Sequence, residues 1–158
     1  MPPARSTSTL ARAVISSAPD PAPAVASSPV QSPSPDWVGV VGALDRSRDG
    51  AFADANANEL DAIYVPGSAA LATDRETLGG LVGAGQRVRG LQFVLESVRV
   101  VAQSPAEVTL TVVDTLAGSD VVDSGGVATH VPGRGVRNWT VVLSAQQDGW
   151  RIASITPA

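Results

Sequence analysis

From residue 36 onward, apolar residues recur first with the period of a helix and then with that of a strand. Trp37, Val40, Val41 and Leu44 follow i, i+3, i+4, i+7, the stripe of an amphipathic helix, and Asp36 stands where an N-cap belongs. Asp45, Arg46, Arg48 and Asp49 form its solvated end, and Phe52 carries the stripe one turn further. Asn58 is placed to cap a short second helix bearing Leu60, Ile63 and Tyr64, which Pro66-Gly67 stops. Thr73 with Glu76 three residues later makes a capping box for a third helix that turns Leu78, Leu81 and Val82 inward. Gly79, Gly80, Gly83 and Gly85 keep that helix short.

The period then changes to two. Leu91, Phe93 and Leu95 share one face, but the apolar phase moves to Val98 and Val100, which predicts one extra residue, a bulge, near Glu96-Ser97. Val108, Leu110 and Val112 alternate with Thr109 and Thr111 in the next strand. Val121-Val122 and Val127 flank Asp123-Ser124-Gly125-Gly126, a hairpin turn. The chain closes with Asn138-Trp139-Thr140-Val141-Val142-Leu143, a polar turn, and Asp148-Gly149-Trp150-Arg151-Ile152, a second hairpin. Three helices followed by a bent antiparallel sheet predict an α+β layer arrangement over residues 36–158.

That closing pair of strands, last in a chain that runs from helices to sheet, resembles the end of nuclear transport factor 2-like domains. The group includes SnoaL-like polyketide cyclases and ketosteroid isomerases. The resemblance covers residues 36–158 in pattern and implies a cone in which helices pack into the concave face of a curled sheet and leave a pocket at the open end.

Residues 1–35 differ in kind. They hold Pro2, Pro3, Pro19, Pro21, Pro23, Pro29, Pro33 and Pro35, with Ala and Ser in most gaps. Such composition blocks helix and offers little surface to bury, so a disordered linker is predicted. Ala13-Val14-Ile15 is too short for an export-signal core, and no stretch approaches the roughly 20 apolar residues of a membrane span. Stalks of this kind separate membrane anchors from exported domains. An anchor upstream of Met1 implies an extracytoplasmic domain; without one, a cytoplasmic place follows.

Composition narrows the function classes. Hydrophobic content of 44% allows a core, and aromatics at 4% require it to be built from Val, Leu, Ile and Ala. All 11 basic residues are Arg, the mark of a high-GC genome of the actinobacterial kind. A net charge of -4 argues against a nucleic-acid partner, which needs a basic footprint. With no Cys and a single His, neither a thiolate site nor a zinc site has enough ligands, so no metal and no cofactor are expected. Asp54, Asn56 and Asn58 imitate a calcium loop, but Glu59 stands where Gly must turn. The glycines from 79 to 85 end a helix instead of leading from strand into helix, so no dinucleotide is implied.

The remaining candidates form a short cast. Asp114 continues the parity of Val108, Leu110 and Val112, which aims its carboxylate at the apolar side; desolvated there it is a general base or a ligand anchor. The alternative is a strand-end Asp bridged to an Arg. Tyr64 either donates its hydroxyl into the pocket, as the resemblance implies, or packs in the core. His130, before Pro132-Gly133, is either a cavity partner of Asp114, as the resemblance to SnoaL-like cyclases implies, or a solvated loop residue. Arg99 and Arg151 lie in strands, where each either lines the cavity or faces water. Trp139 and Trp150 read as core residues rather than as a ligand platform.

The catalytic candidates are therefore Asp114, Tyr64 and His130, and the pocket candidates Tyr64, Arg99, Asp114 and Arg151. The leading expectation is a non-catalytic domain that binds a small apolar molecule or a protein partner, with a homodimer through the sheet as a further possibility. The alternative is a cyclase, isomerase or dehydratase with Asp114 as base and Tyr64 or His130 as donor. Fold analogy does not separate them.

Overall fold

Helix α1 (Trp37–Ala53) opens the part of the chain, residues 33–158, that the computed structural model describes. The linker expected over residues 1–35 lies, up to residue 32, outside the described residues. A 3-10 helix (Ala57–Ala62) and helix α2 (Ala69–Gly83) follow. The strands are β1 (Arg87–Arg89), β2 (Phe93–Gln103), β3 (Glu107–Leu116), β4 (Ser119–Val122), β5 (Ala128–Val131), β6 (Arg134–Gln146) and β7 (Gly149–Pro157).

The strands form two antiparallel sheets, β2-β3-β6-β7 and β1-β4-β5, on which the helices pack. The layers are those the apolar pattern predicts. They are held by one core, in which Leu60, Leu78, Val108, Leu110 and Leu143 are fully buried. Leu110 and Val108 arrive there by strand alternation, Leu60 and Leu78 by helical spacing. Among the described residues no helix is long and apolar enough to cross a membrane.

Local details correct the expectations at the helix ends. Asp36 takes the extended backbone of an N-cap and its carbonyl accepts from Val40 N at 2.9 Å, but its side chain caps nothing. The 3-10 helix is capped by Asn56, whose side chain accepts from Asn58 N, and not by Asn58. Helix α2 starts at Ser68, whose Oγ accepts from Leu71 N at 3.2 Å. Thr73 therefore lies inside the helix and donates its hydroxyl back to the Ala69 carbonyl, a bond open to any helical Thr. With this earlier start Leu71, Asp74 and Leu78 turn inward and Val82 stays half exposed.

The bulge predicted near Glu96-Ser97 is present: pairing of β2 with β3 shifts between Leu95 and Ser97, and again between Val100 and Ala102. Strand β7 is joined to the helical layer through a single parallel bridge. Ile152 N donates to the Ile63 carbonyl at 2.8 Å, and Val65 N donates to the Ile152 carbonyl at 2.9 Å. This bridge fixes Tyr64, between the two, against the sheet.

Candidate functional site

Between the helices and the inner face of the sheets lies a cavity of about 640 Å³. Its walls are mainly apolar, with Phe52, Phe93, Val112, Val141, Ile152 and Trp139 the principal surfaces. Five charged side chains enter it: Asp45 and Arg48 from α1, Asp74 from α2, Asp114 from β3 and Arg134 from β6.

The helical side carries a closed cluster. Arg48 lies one helical turn before Phe52, so its guanidinium reaches inward with that ring and stacks 5.0 Å from Phe93 and 5.8 Å from Phe52. It donates Nε to Asp74 Oδ2 at 2.6 Å and Nη2 to Asp74 Oδ1 at 2.7 Å, the two-pronged geometry that fits a carboxylate. The Tyr64 hydroxyl donates to the same Asp74 Oδ2 at 2.5 Å. Burial alone would lower the Arg48 pKa, but the hydrogen bonds to Asp74, with the Asp74 and Asp45 charges, outweigh it and hold the guanidinium above its ordinary value. Burial pushes the Tyr64 hydroxyl up, against the pull of Arg48 and with the help of Asp74. Tyr64 is therefore a neutral donor already engaged by the protein.

The sheet side carries a half-closed one. Asp114 keeps the inward parity of Val108, Leu110 and Val112 and is buried. Arg134 Nη2 and Trp139 Nε1 each donate to Asp114 Oδ1 at 3.0 Å, while Oδ2 has no hydrogen-bond partner among the described residues. Arg134 reaches Asp114 because Gly133 lets β6 start flush against β3. Any Cβ on Gly133 would collide with the Leu116 carbonyl oxygen. The guanidinium also lies 5.3 Å from the Trp139 ring, so this tryptophan is part of the cavity wall and not core filling alone. Trp150, by contrast, sits outside the cavity lining and meets Trp37 edge to face, ring centroids 5.0 Å apart.

Asp45 stands between the two clusters. No side chain among the described residues hydrogen-bonds its carboxylate. Burial raises its pKa to about 6; Arg48 opposes the shift, the Asp114 charge adds to it, and Arg46 opposes weakly. The apolar stripe assigns Asp45 and Arg48 to the solvated end of α1, and the structure corrects this. Val41, Asp45, Arg48 and Phe52 recur at i, i+4, i+7, i+11 and face the cavity together. A polar residue at an inward position of a helical stripe was the available signal.

The other candidates are elsewhere. Arg99 is exposed on β2, across from Thr111. Arg151 donates to Asp148 Oδ2 at 2.7 Å beside the final turn. His130 lies on β5 and not in a loop; it is exposed, with Nδ1 2.9 Å from Asp120 Oδ1, and does not meet Asp114. None of the three lines the cavity. Tyr64 and Asp114 both do, on opposite walls and in separate hydrogen-bond clusters. Among the described residues no group of three or more His, Asp or Glu side chains is arranged to hold a metal ion.

Helices packed on curled antiparallel sheets around such a cavity define an α+β fold of the nuclear transport factor 2-like kind. Solved structures of like shape include the intermembrane space region of the chloroplast protein ARC6, 14% identical, with a TM-score of 0.50 over 77% of this chain and 92% of that one. Aln2 from a Streptomyces species is 16% identical, with a TM-score of 0.50 over 78% of this chain and 90% of that one. A nuclear transport factor 2-like superfamily protein from Salmonella enterica is 10% identical, with a TM-score of 0.47 over 76% of this chain and 88% of that one. Likeness at these identities concerns the fold alone. No protein-family model matches the sequence. No curated protein matches it either.

Proposed function

We propose that the domain binds a small, largely apolar molecule in the cavity between helices and sheet and does not transform it. The observation that carries this reading is the division of labour in the walls. Asp74 has both oxygens engaged by Arg48 and Tyr64, and Asp114 is anchored by Arg134 and Trp139, so most polar groups hold one another while apolar surface is left for a ligand. A cavity of this size with few polar contacts suits recognition by shape and burial.

The test uses N-phenyl-1-naphthylamine, a neutral probe that fluoresces in apolar surroundings. Saturable binding at one site is expected, and Val121→Trp, which fills the cavity from β4, should abolish it while leaving thermal unfolding intact. Binding unchanged in that variant would place the probe elsewhere and remove the proposal.

One observation favours a second reading, proton-transfer catalysis of the isomerase or dehydratase kind. Asp45 is desolvated, unpaired and half ionised near pH 6, the state a general base requires. In this reading Asp45 takes the place expected of Asp114, whose Oδ1 already accepts two hydrogen bonds. Exchange of the α-protons of 2-tetralone in D2O, catalysed by the protein and lost in Asp45→Asn, supports catalysis. Saturable binding of the ketone without exchange supports binding alone. A homodimer through the sheet also belongs to the proposal, supported by the exposed valines 94, 100 and 101 on β2 and 136 on β6; sedimentation velocity checks it.

A further inference from the structure

The charges in the cavity do not balance. Three carboxylates, Asp45, Asp74 and Asp114, face two guanidiniums, Arg48 and Arg134. Arg48 is committed to Asp74 through two hydrogen bonds, and Arg134 to Asp114 through one. One carboxylate is left over, and geometry says which: Asp45, whose oxygens have no side-chain partner among the described residues. The second Asp114 oxygen is also unclaimed, so the part of the cavity shared by α1 and β3 presents mainly acceptors, and the one cationic donor left beside them is Arg134 Nη1, buried without a hydrogen-bond partner on a guanidinium already paired with Asp114.

Other elements do not neutralise this excess. Arg46 lies on the exposed side of α1, Arg87 and Arg89 of β1 are exposed, and His130 of β5 points to solvent against Asp120. The Tyr64 hydroxyl from the 3-10 segment is given to Asp74. A carboxylate that shares an apolar cavity with Val41, Phe52 and Phe93 gains most from a partner that brings a positive charge and an apolar body at once.

We propose that this cavity selects organic cations: molecules whose apolar body fills the aliphatic and aromatic walls and whose single protonated amine pairs with Asp45. The inference rests on the reading of the cavity as a ligand site and adds the chemical class of ligand. It also gives binding a direction with pH. The free domain holds a proton on Asp45 below about pH 6, and an arriving ammonium must displace it. Affinity for the cation therefore falls as pH falls through that value, by about tenfold between pH 7 and pH 5. A neutral ligand shows no such loss.

Three probes with one body separate the possibilities by isothermal titration calorimetry: 2-naphthylmethylamine, 2-naphthylmethanol and 2-naphthoate. The amine is expected to bind at least about tenfold more tightly than the alcohol at pH 7.5, and the carboxylate to bind worst. Asp45→Asn should erase the advantage of the amine and its pH dependence while leaving the alcohol unchanged, which also shows the variant to be folded. Equal binding of amine and alcohol to the native domain overturns the charge selection and leaves the apolar cavity standing. Tightest binding by 2-naphthoate overturns it as well and makes the arginines the anchoring groups. If none of the three binds, the ligand-site reading falls with it.

Discussion

The two walls of the cavity treat a buried carboxylate in different ways. On the helical wall, Asp74 accepts three hydrogen bonds from two residues and has no oxygen to spare. On the sheet wall, Asp114 is held by one oxygen and keeps the other. Asp45, between them, is held by neither. The degree of pairing distinguishes these carboxylates where burial does not, because Asp74 and Asp114 are almost equally buried. A carboxylate whose lone pairs are all taken stabilises the fold. One whose lone pairs are open is available to a ligand or a proton.

The comparison breaks most visibly at Asp74. Asp74→Asn deprives the Arg48 guanidinium of its hydrogen-bonded counter-charge, leaving only the unbonded Asp45 carboxylate near it, and should cost about 3–5 kcal/mol in urea unfolding, enough to unfold much of a marginal domain. A loss below about 1 kcal/mol would mean the helical cluster is not structural. Asp114→Asn should cost less, about 1–3 kcal/mol, because Arg134 keeps a neutral acceptor and the Trp139 ring beneath it. A loss equal to that of Asp74→Asn would erase the difference between the walls.

Asp45→Asn should act in the opposite direction. The folded-state pKa, about 6, is raised above the unfolded value of 3.8, so the folded domain binds the extra proton between these values. Its stability therefore falls as pH rises from about 4 to 6, and the full penalty is present above about 6. Removing the charge should stabilise the domain by about 1–2 kcal/mol at pH 7.5 and by nothing near pH 4. Urea midpoints of both proteins at the two pH values check this; destabilisation at the higher pH would mean that Asp45 has a partner. The smallest effect belongs to Tyr64→Phe, about 1 kcal/mol, since Arg48 still satisfies Asp74 when the phenol is gone.

How much of this is legible in the sequence depends on whether a residue obeys its local pattern. The Val108-Leu110-Val112 alternation extends to Asp114, and the structure follows that parity to the last residue. The phase change at Glu96-Ser97 is a bulge because a one-residue slip brings Val98 to the core side that Leu95 already occupies. Strand β1 is not visible, since its exposed-buried-exposed pattern around Val88 is only three residues long, too short to stand out as an alternation. The site is harder. Asp45, Arg48 and Asp74 occupy inward positions of amphipathic helices, where a charge reads as a break in the stripe until the facing wall is known. Arg134, after the Pro132-Gly133 turn, gives no local sign that it reaches back to Asp114. Trp139 obeys its parity but meets a cavity where packed core is expected.

The open four-stranded sheet leaves two edges, and unpaired edges recruit strands from other molecules. Here both are blunted. The outer strand β2 is broken twice by its register shifts, so no long flat run of N–H and C=O groups is offered to a neighbour, despite the exposed valines beside it. The opposite edge, β7, has its central Ile152 N–H and C=O taken by Ile63 and Val65, and ends at Pro157. The register shifts of β2 and the bridge at Ile152 thus serve a second end: they guard the four-stranded sheet against growing, edge to edge, into a fibre.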